Sequence, residues 1–258
     1  MPAPARTIDD VIGALGDVIE RALRERSRLG FFAALYRKVT VTVKEGIAAG
    51  RFDDGPRMER LDVTFAGRYL DALARFQRGE RPTACWQVSF EAAATWPPII
   101  LQHLLLGMNA HINFDLGVAS ATVCPGDALP SLKHDFNEIN TILAGLVGQV
   151  QSEIDQLSPW IRLLDHIDPK ADQAIVNFSM EKARAAAWRV AERLAPVPPD
   201  RWGPELAKLD LEVTLLGRLV RHPIGKLFNV GLLVIRSRET SDVSRVVRVL
   251  DETPAAHV

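Results

Sequence analysis

Cysteine is scarce, with only Cys85 and Cys124 in 258 residues. They lie far apart and neither has a CxxC or CxxH companion, which excludes a zinc finger and suits reduced thiols in a cytoplasmic protein. An excess of one charge is also missing. With 31 basic residues against 32 acidic ones and a formal net charge of -1, no overall field draws the chain to nucleic acid, and none is expected as a partner. No GxGxxG follows a strand and no GxxxxGK[ST] is present, so dinucleotide-binding and P-loop chemistry have no foothold. GxSxG, HExxH and EF-hand signatures are absent too. The N-terminus, MPAPARTIDD, carries one arginine and no apolar segment, so no secretory signal is expected and the mature chain is read as starting here. No repeat, low-complexity run or linker suggests a boundary. The expectation is one helical domain over 1–258, with a core at about 7–237 and a tail at 238–258.

What is present is helical periodicity. Ile8, Val11, Ile12, Leu15, Ile19 and Leu23 recur at helical spacing behind Thr7, with Asp9 and Asp10 in the first turn, predicting a helix to about Arg28. Residues 31–49 read as helix despite the strand-like alternation VTVTV. A turn at Asp53–Pro56 precedes another helical run through Met58, Leu61, Phe65, Leu70, Leu73 and Phe76. A shorter helix is predicted over 83–94, a longer one over 131–157, one from Pro169 to about Leu194 capped by Asp168, and further helices over 204–221, 224–236 and around 243–250. A loop is expected at 119–130. The fold class is all-α: a single-domain bundle of about eight to ten helices.

The centre of that bundle is read as a buried helix at 96–118, WPPIILQHLLLGMNAHINFDLGV, too apolar for a surface helix and too polar to face lipid. Thr95 is expected to cap it, Pro97 to occupy its first turn and Gly117 to end it. At about 100° per residue, His103, Gly107, His111 and Asp115 form one polar stripe, with Gln102, Asn109 and Asn113 nearly opposite. An unpaired buried polar group costs about 1–3 kcal/mol, so both stripes need partners.

His111 and Asp115, one turn apart on one face, can reach the same ion, and they are the leading candidates for a divalent metal, zinc or iron. His103 lies about 12 Å up the helix from His111, too far to share an ion with Asp115, and serves a second position or a hydrogen bond. Asp135, predicted to point inward from the 131–157 helix, and His166, in the following turn, complete the candidate set. Glu59, Asp62 and Glu91 are weaker acidic candidates. The same HxxxD spacing also suits a plain hydrogen bond with no ion, and His166 near Asp168 also suits a turn and cap. Trp86, Phe90, Trp96 and Trp160 are read as core aromatics. Arg68 is read as either orienting an anionic substrate or reaching solvent.

GMNAHINFDL, the upstream LQHLL, the following HDFNEIN, and the earlier RYLDAL and CWQVSF resemble a bacterial family of helical proteins of unknown function. The likeness spans about residues 30–235 and implies a mostly helical domain with no assigned reaction. HxxxD is more loosely similar to the helical zinc phospholipases C and related nucleases, where both residues bind metal. Of that family's ligands only His111 and Asp115 have counterparts here.

The function expected from these residues is that of a metal-dependent enzyme, hydrolase or oxygenase. It would act on a small, largely apolar molecule, with a metal-activated water and with Asp135 or His103 moving the proton. A metal-free acid–base pair of His111 and Asp115, and a non-catalytic binding or interaction protein, are the alternatives. Residues 216–238 carry Arg218, Arg221, Lys226, Arg236 and Arg238 and no acid. Their apolar run is far below the roughly 20 residues that span a bilayer, so they are read as core-packing helices with solvated basic groups in preference to a peripheral membrane element.

Overall fold

Local capping signals set many of the helix ends. The computed structural model describes residues 5–96, 98–161 and 179–252; Pro97, His166, Asp168 and the expected start of a helix at Pro169 lie outside them. Among the described residues there is no strand. In chain order the elements are α1 (Ile8–Glu25), α2 (Leu29–Ala48), α3 (Gly55–Gln77), α4 (Ala84–Ala93), α5 (Ile100–Met108), a π-helix (Asn109–Leu116), α6 (Gly117–Val123), a 3-10 helix (Gly126–Leu132), α7 (Lys133–Leu157), α8 (Met180–Leu194), a short 3-10 turn (Pro199–Arg201), α9 (Gly203–Arg221), α10 (Lys226–Arg238) and α11 (Val243–Asp251). The chain is all-α, as its periodicity implies.

Thr7 and Asp10 form a capping box at the start of α1, while Asp54, Ser179 and Asp242 accept the amides that open α3, α8 and α11. The VTVTV run stays helical inside α2, where Thr40 and Thr42 donate back to the carbonyls of Tyr36 and Lys38. Two helices are capped by distant acids. Asp210 on α9 accepts from the Ala84 and Cys85 amides, and Glu239 accepts from the Ile100 amide. Thr95 does not cap the central helix: its hydroxyl donates to the Ala92 carbonyl and closes α4 instead.

The central helix starts at Ile100 and runs through the π segment and α6 to Val123, five residues past the expected end. Gly117 is helical, not a terminator. A Cβ there would stand 2.5 Å from the Ala187 carbonyl and 2.7 Å from Val190, so glycine permits α8 to pack directly on the helix. Around this axis pack α2, α3, α4, α8 and α9. The second polar stripe secures α9: Gln102 donates to the Val220 carbonyl at 2.7 Å and Asn109 to that of Val213 at 2.9 Å. Seven residues separate the two donors, and seven separate the two acceptors in the opposite direction, as antiparallel helices require.

All elements from α1 to α11 contribute to one apolar core. That includes α11, read as tail, whose Val246, Val247 and Leu250 are fully buried. Trp86 and Phe90 are core residues, but Trp96 and Trp160 are 62% and 46% exposed. α9 and α10 pack on the core through Val213, Val220, Phe228, Leu232 and Ile235, with Arg218, Lys226 and Arg238 exposed, but Leu211, Leu215, Leu219, Ile224, Leu227, Val230, Leu233 and Val234 also point outward.

Candidate functional site

The π-helix decides how the polar residues of the central stretch are presented. Its hydrogen bonds run from i to i+5, so a wheel drawn at 100° per residue fails between Asn109 and Leu116. His111 and Asp115 remain neighbours, with Nδ1 3.5 Å from Oδ2. Asn113 donates to Asn109 at 3.0 Å. Gly107, one turn before His111, lies against the Phe32 ring, where a Cβ would be 2.5 Å away. That ring in turn packs edge-on against His111.

Asp115 is buried and engaged on both oxygens. Arg68 Nε donates to Oδ1 at 2.7 Å and Trp86 Nε1 to Oδ2 at 2.8 Å. Arg68 therefore turns inward from α3, and its guanidinium also lies over the Phe114 ring. His111 is enclosed by aromatic rings, stacked on Phe65 at 3.5 Å between centroids and beside Tyr36 at 4.4 Å. Neither of its ring nitrogens makes a hydrogen bond among the described residues. Burial lowers its pKa, with Asp115 opposing and Arg68 assisting. The imidazole is thus neutral at neutral pH.

His111 lines a cavity of about 350 Å³, whose walls come chiefly from α2, α3, the central helix and α7. The lining is leucine, isoleucine, valine, methionine and phenylalanine, interrupted by few polar groups. Exposed Val147 and Gln151 stand in it, so the cavity reaches the surface along α7. Asp62 and Tyr36 face it beside His111, and both are buried. Among the described residues the Asp62 Oδ2 and the Tyr36 hydroxyl have no hydrogen-bond partner. Burial, helped by the charge of Glu59, pushes the Asp62 carboxyl up to about 7. Burial likewise raises the Tyr36 phenol well above its ordinary value, with Asp62 and Asp115 adding to the effect, so it stays a hydrogen-bond donor. A volume of this size falls within the range of small-molecule sites, and pairing apolar walls with a few displaced pKa values is typical of them.

Of the other predicted residues, Asp135 points inward and is fully buried, but it does not line this cavity. Arg57 donates to it at 2.6 Å, and the Asp53 and Asp54 amides at 2.7 and 3.2 Å, tying α7 to the start of α3. Burial pushes its pKa up, but these donors outweigh that and hold it below the usual range. His103 is buried elsewhere, edge-on to Phe31 at 5.7 Å. Burial, then Arg28 and Arg236, push its pKa down to about 3. The structure therefore brings together His111 and Asp115, but not His103 or Asp135. Asp53, His134 and Asp135 place three potential ligand atoms within 4.8 Å of one another, but Asp53 and His134 are exposed and Asp135 is committed to Arg57.

Tyr36 escaped the sequence reading, and Asp62 was ranked low. The signal for Asp62 was available: Met58, Leu61, Asp62, Phe65 and Tyr69 share one face of α3, which puts a carboxylate on an otherwise apolar stripe. Arg184 was missed for a similar reason. It sits among Ala183, Ala187, Trp188 and Ala191 on the buried face of α8 and lines the same cavity.

Residues 8–223 match the family described as a family of unknown function (DUF5995). The chain belongs to that family. No curated protein and no solved structure matches it.

Proposed function

We propose that this family member is an acid–base enzyme acting at a carbonyl group of a small, largely apolar molecule held in the His111 cavity. The observation that supports it is the meeting, in one apolar space, of three buried groups with polar atoms that have no hydrogen-bond partner among the described residues: the His111 ring nitrogens, Asp62 Oδ2 and the Tyr36 hydroxyl. Leaving each without a partner costs about 1–3 kcal/mol, which a fold does not accumulate in one place unless something else supplies the partner. Their protonation states fit distinct roles. Neutral His111 takes a proton, from the substrate or from a water that attacks it, and Asp115 stabilises the imidazolium that forms. Tyr36 and protonated Asp62 donate toward the oxygen that gains charge, and the His111 imidazolium returns its proton to the product, which restores the neutral ring. Arg68 and Trp86 hold Asp115 in place. The 3.5 Å between His111 and Asp115 is a separation that tightens when a ligand fills the cavity. Two buried free thiols agree with a cytoplasmic setting.

The test uses wild type, His111→Gln, Tyr36→Phe and Asp62→Asn. Two reactions are followed: deuterium exchange next to the carbonyl of 2-tetralone, and hydrolysis of p-nitrophenyl esters of increasing chain length. We expect one to be accelerated, with His111→Gln losing about a hundredfold or more and Tyr36→Phe at least about tenfold. Equal rates for wild type and His111→Gln overturn the reading.

A metal-dependent hydrolase or oxygenase is the second reading, favoured by the two unbonded nitrogens of His111. Zinc or iron there would have to draw Asp115 away from Arg68 and Trp86, which counts against it. Elemental analysis of protein purified without a histidine tag separates the two readings: stoichiometric metal, lost in His111→Gln, supports the second.

A further inference from the structure

We propose that the ligand of this cavity is an amphipathic carboxylate, its anionic head held by Arg184 and its apolar chain lying against the cavity wall. The inference rests on reading the cavity as a ligand site. Arg184 is 5% exposed and lines that cavity. Its Nε donates to Asn140 Oδ1 and its Nη2 to the Phe136 carbonyl, both at 2.5 Å, and its guanidinium lies 4.4 Å from the centre of the Phe136 ring. Both acceptors are neutral, and among the described residues Nη1 makes no hydrogen bond and no carboxylate pairs with the charge. Buried guanidinium groups are ordinarily matched by an anion, because desolvating a cation without one is costly. Burial alone pushes the Arg184 pKa down to about 9, leaving it charged at neutral pH. A planar donor with a free edge suits a carboxylate, and nearly all of the surrounding surface is aliphatic or aromatic. Of the other polar groups of the cavity, His111, Tyr36 and Asp62 serve the reacting carbon, and exposed Gln151 stands at the surface; Arg184, on another helix, serves the head.

Calorimetry with dodecanoate and 1-dodecanol, equal in chain and different in charge, tests this on the intact protein. Wild type should bind dodecanoate at least about tenfold more tightly. Arg184→Met should abolish that preference while leaving dodecanol binding nearly unchanged, and Arg184→Lys should keep part of it. His111→Gln should lose turnover and retain dodecanoate binding, so failure of the acid–base reading and failure of this one are distinguishable. Should Arg184→Met not fold, the wild-type comparison and Arg184→Lys still decide. Equal affinity for acid and alcohol in wild type, or a preference that survives at Arg184→Met, overturns the proposal.

A separate observation carries a second inference: we infer that the outer face of α9 and α10 docks on an anionic lipid surface. Leu211, Leu215 and Leu219 recur at four-residue spacing along α9; Leu227, Val230 and Val234 follow on α10, and Ile224 between them is 73% exposed. From Val213 to Arg238 there is no acidic residue. Arg218 and Lys226 are exposed and have no acidic partner among the described residues. Apolar residues flanked by unpaired cations are the pattern that lies in a headgroup layer, and no helix among the described residues is long and apolar enough to cross a membrane. Two copies of this face would oppose like charges, which disfavours self-association.

Cosedimentation with phosphatidylglycerol–phosphatidylcholine vesicles should show binding that fades with salt and is far weaker on phosphatidylcholine alone. Ile224→Asp with Leu227→Asp, both on exposed positions, should abolish it without unfolding the protein. No binding to the anionic vesicles at low salt overturns the inference, as does a dimer in solution that the double variant dissolves.

Discussion

Arg68 Nε meets Asp115 Oδ1 at 2.7 Å, and this ion pair, half-covered on the arginine side and buried on the other, joins α3 to the π-helix. Trp86 completes the arrangement from α4. Asp115 is thus a junction of three helices as well as the neighbour of His111.

Asp115→Ala should therefore destabilise the fold, since it strands a guanidinium and a buried indole N–H. We expect a loss of about 3 kcal/mol in urea unfolding, with Asp115→Asn losing less because it keeps an acceptor. A loss below about 1 kcal/mol would show that the junction is not structural.

Asp62 gives a pH signature. Its carboxyl titrates near 7 in the folded chain against an ordinary value of 3.8. Between those values the native state holds a proton that the unfolded chain releases. The stabilisation is complete below about pH 4, falls by about 1.4 kcal/mol per unit as pH rises, and is gone above about 7. Asp62→Asn should accordingly gain about 2 kcal/mol or more over wild type between pH 5 and pH 8. Parallel stability curves for the two proteins would mean that Asp62 is solvated in the native state.

Gly117→Ala should cost more than a substitution at an open glycine such as Gly148, because the new methyl would meet the Ala187 carbonyl of the α8 backbone. About 1–3 kcal/mol is expected from overpacking, measured by thermal or urea unfolding. A neutral or stabilising result would show that α8 can move away freely.

The order of helices was legible because their signals are local: capping residues, period and turn dipeptides. The apolar stripe of α2 overrode the strand-like VTVTV. The stripe of Gln102 and Asn109 could be read as needing partners, and it found them on α9. The π-helix could not be read, because a wheel at 100° per residue assumes α-helical register throughout. With it went the exact facing of His111. Asp135 was visible as an inward carboxylate, but nothing in the sequence pairs it with Arg57, 78 residues away. Tyr36, Asp62 and Arg184 come from three different helices, and only the packing brings them to one cavity. The exposed leucines of α9 and α10 carry a core-like pattern whose outward direction is a property of the fold.

The proposed chemistry needs a neutral His111 imidazole whose nitrogens face a ligand. Histidine ¹⁵N NMR of the labelled protein, assigned with His111→Gln, measures this directly, from pH 8 to pH 5 and before and after saturation with dodecanoate. His111 should be neutral at pH 7, and a ring-nitrogen resonance should move when the cavity fills. An imidazolium at pH 7, or a His111 spectrum untouched by a bound ligand that does perturb Arg184, would contradict it.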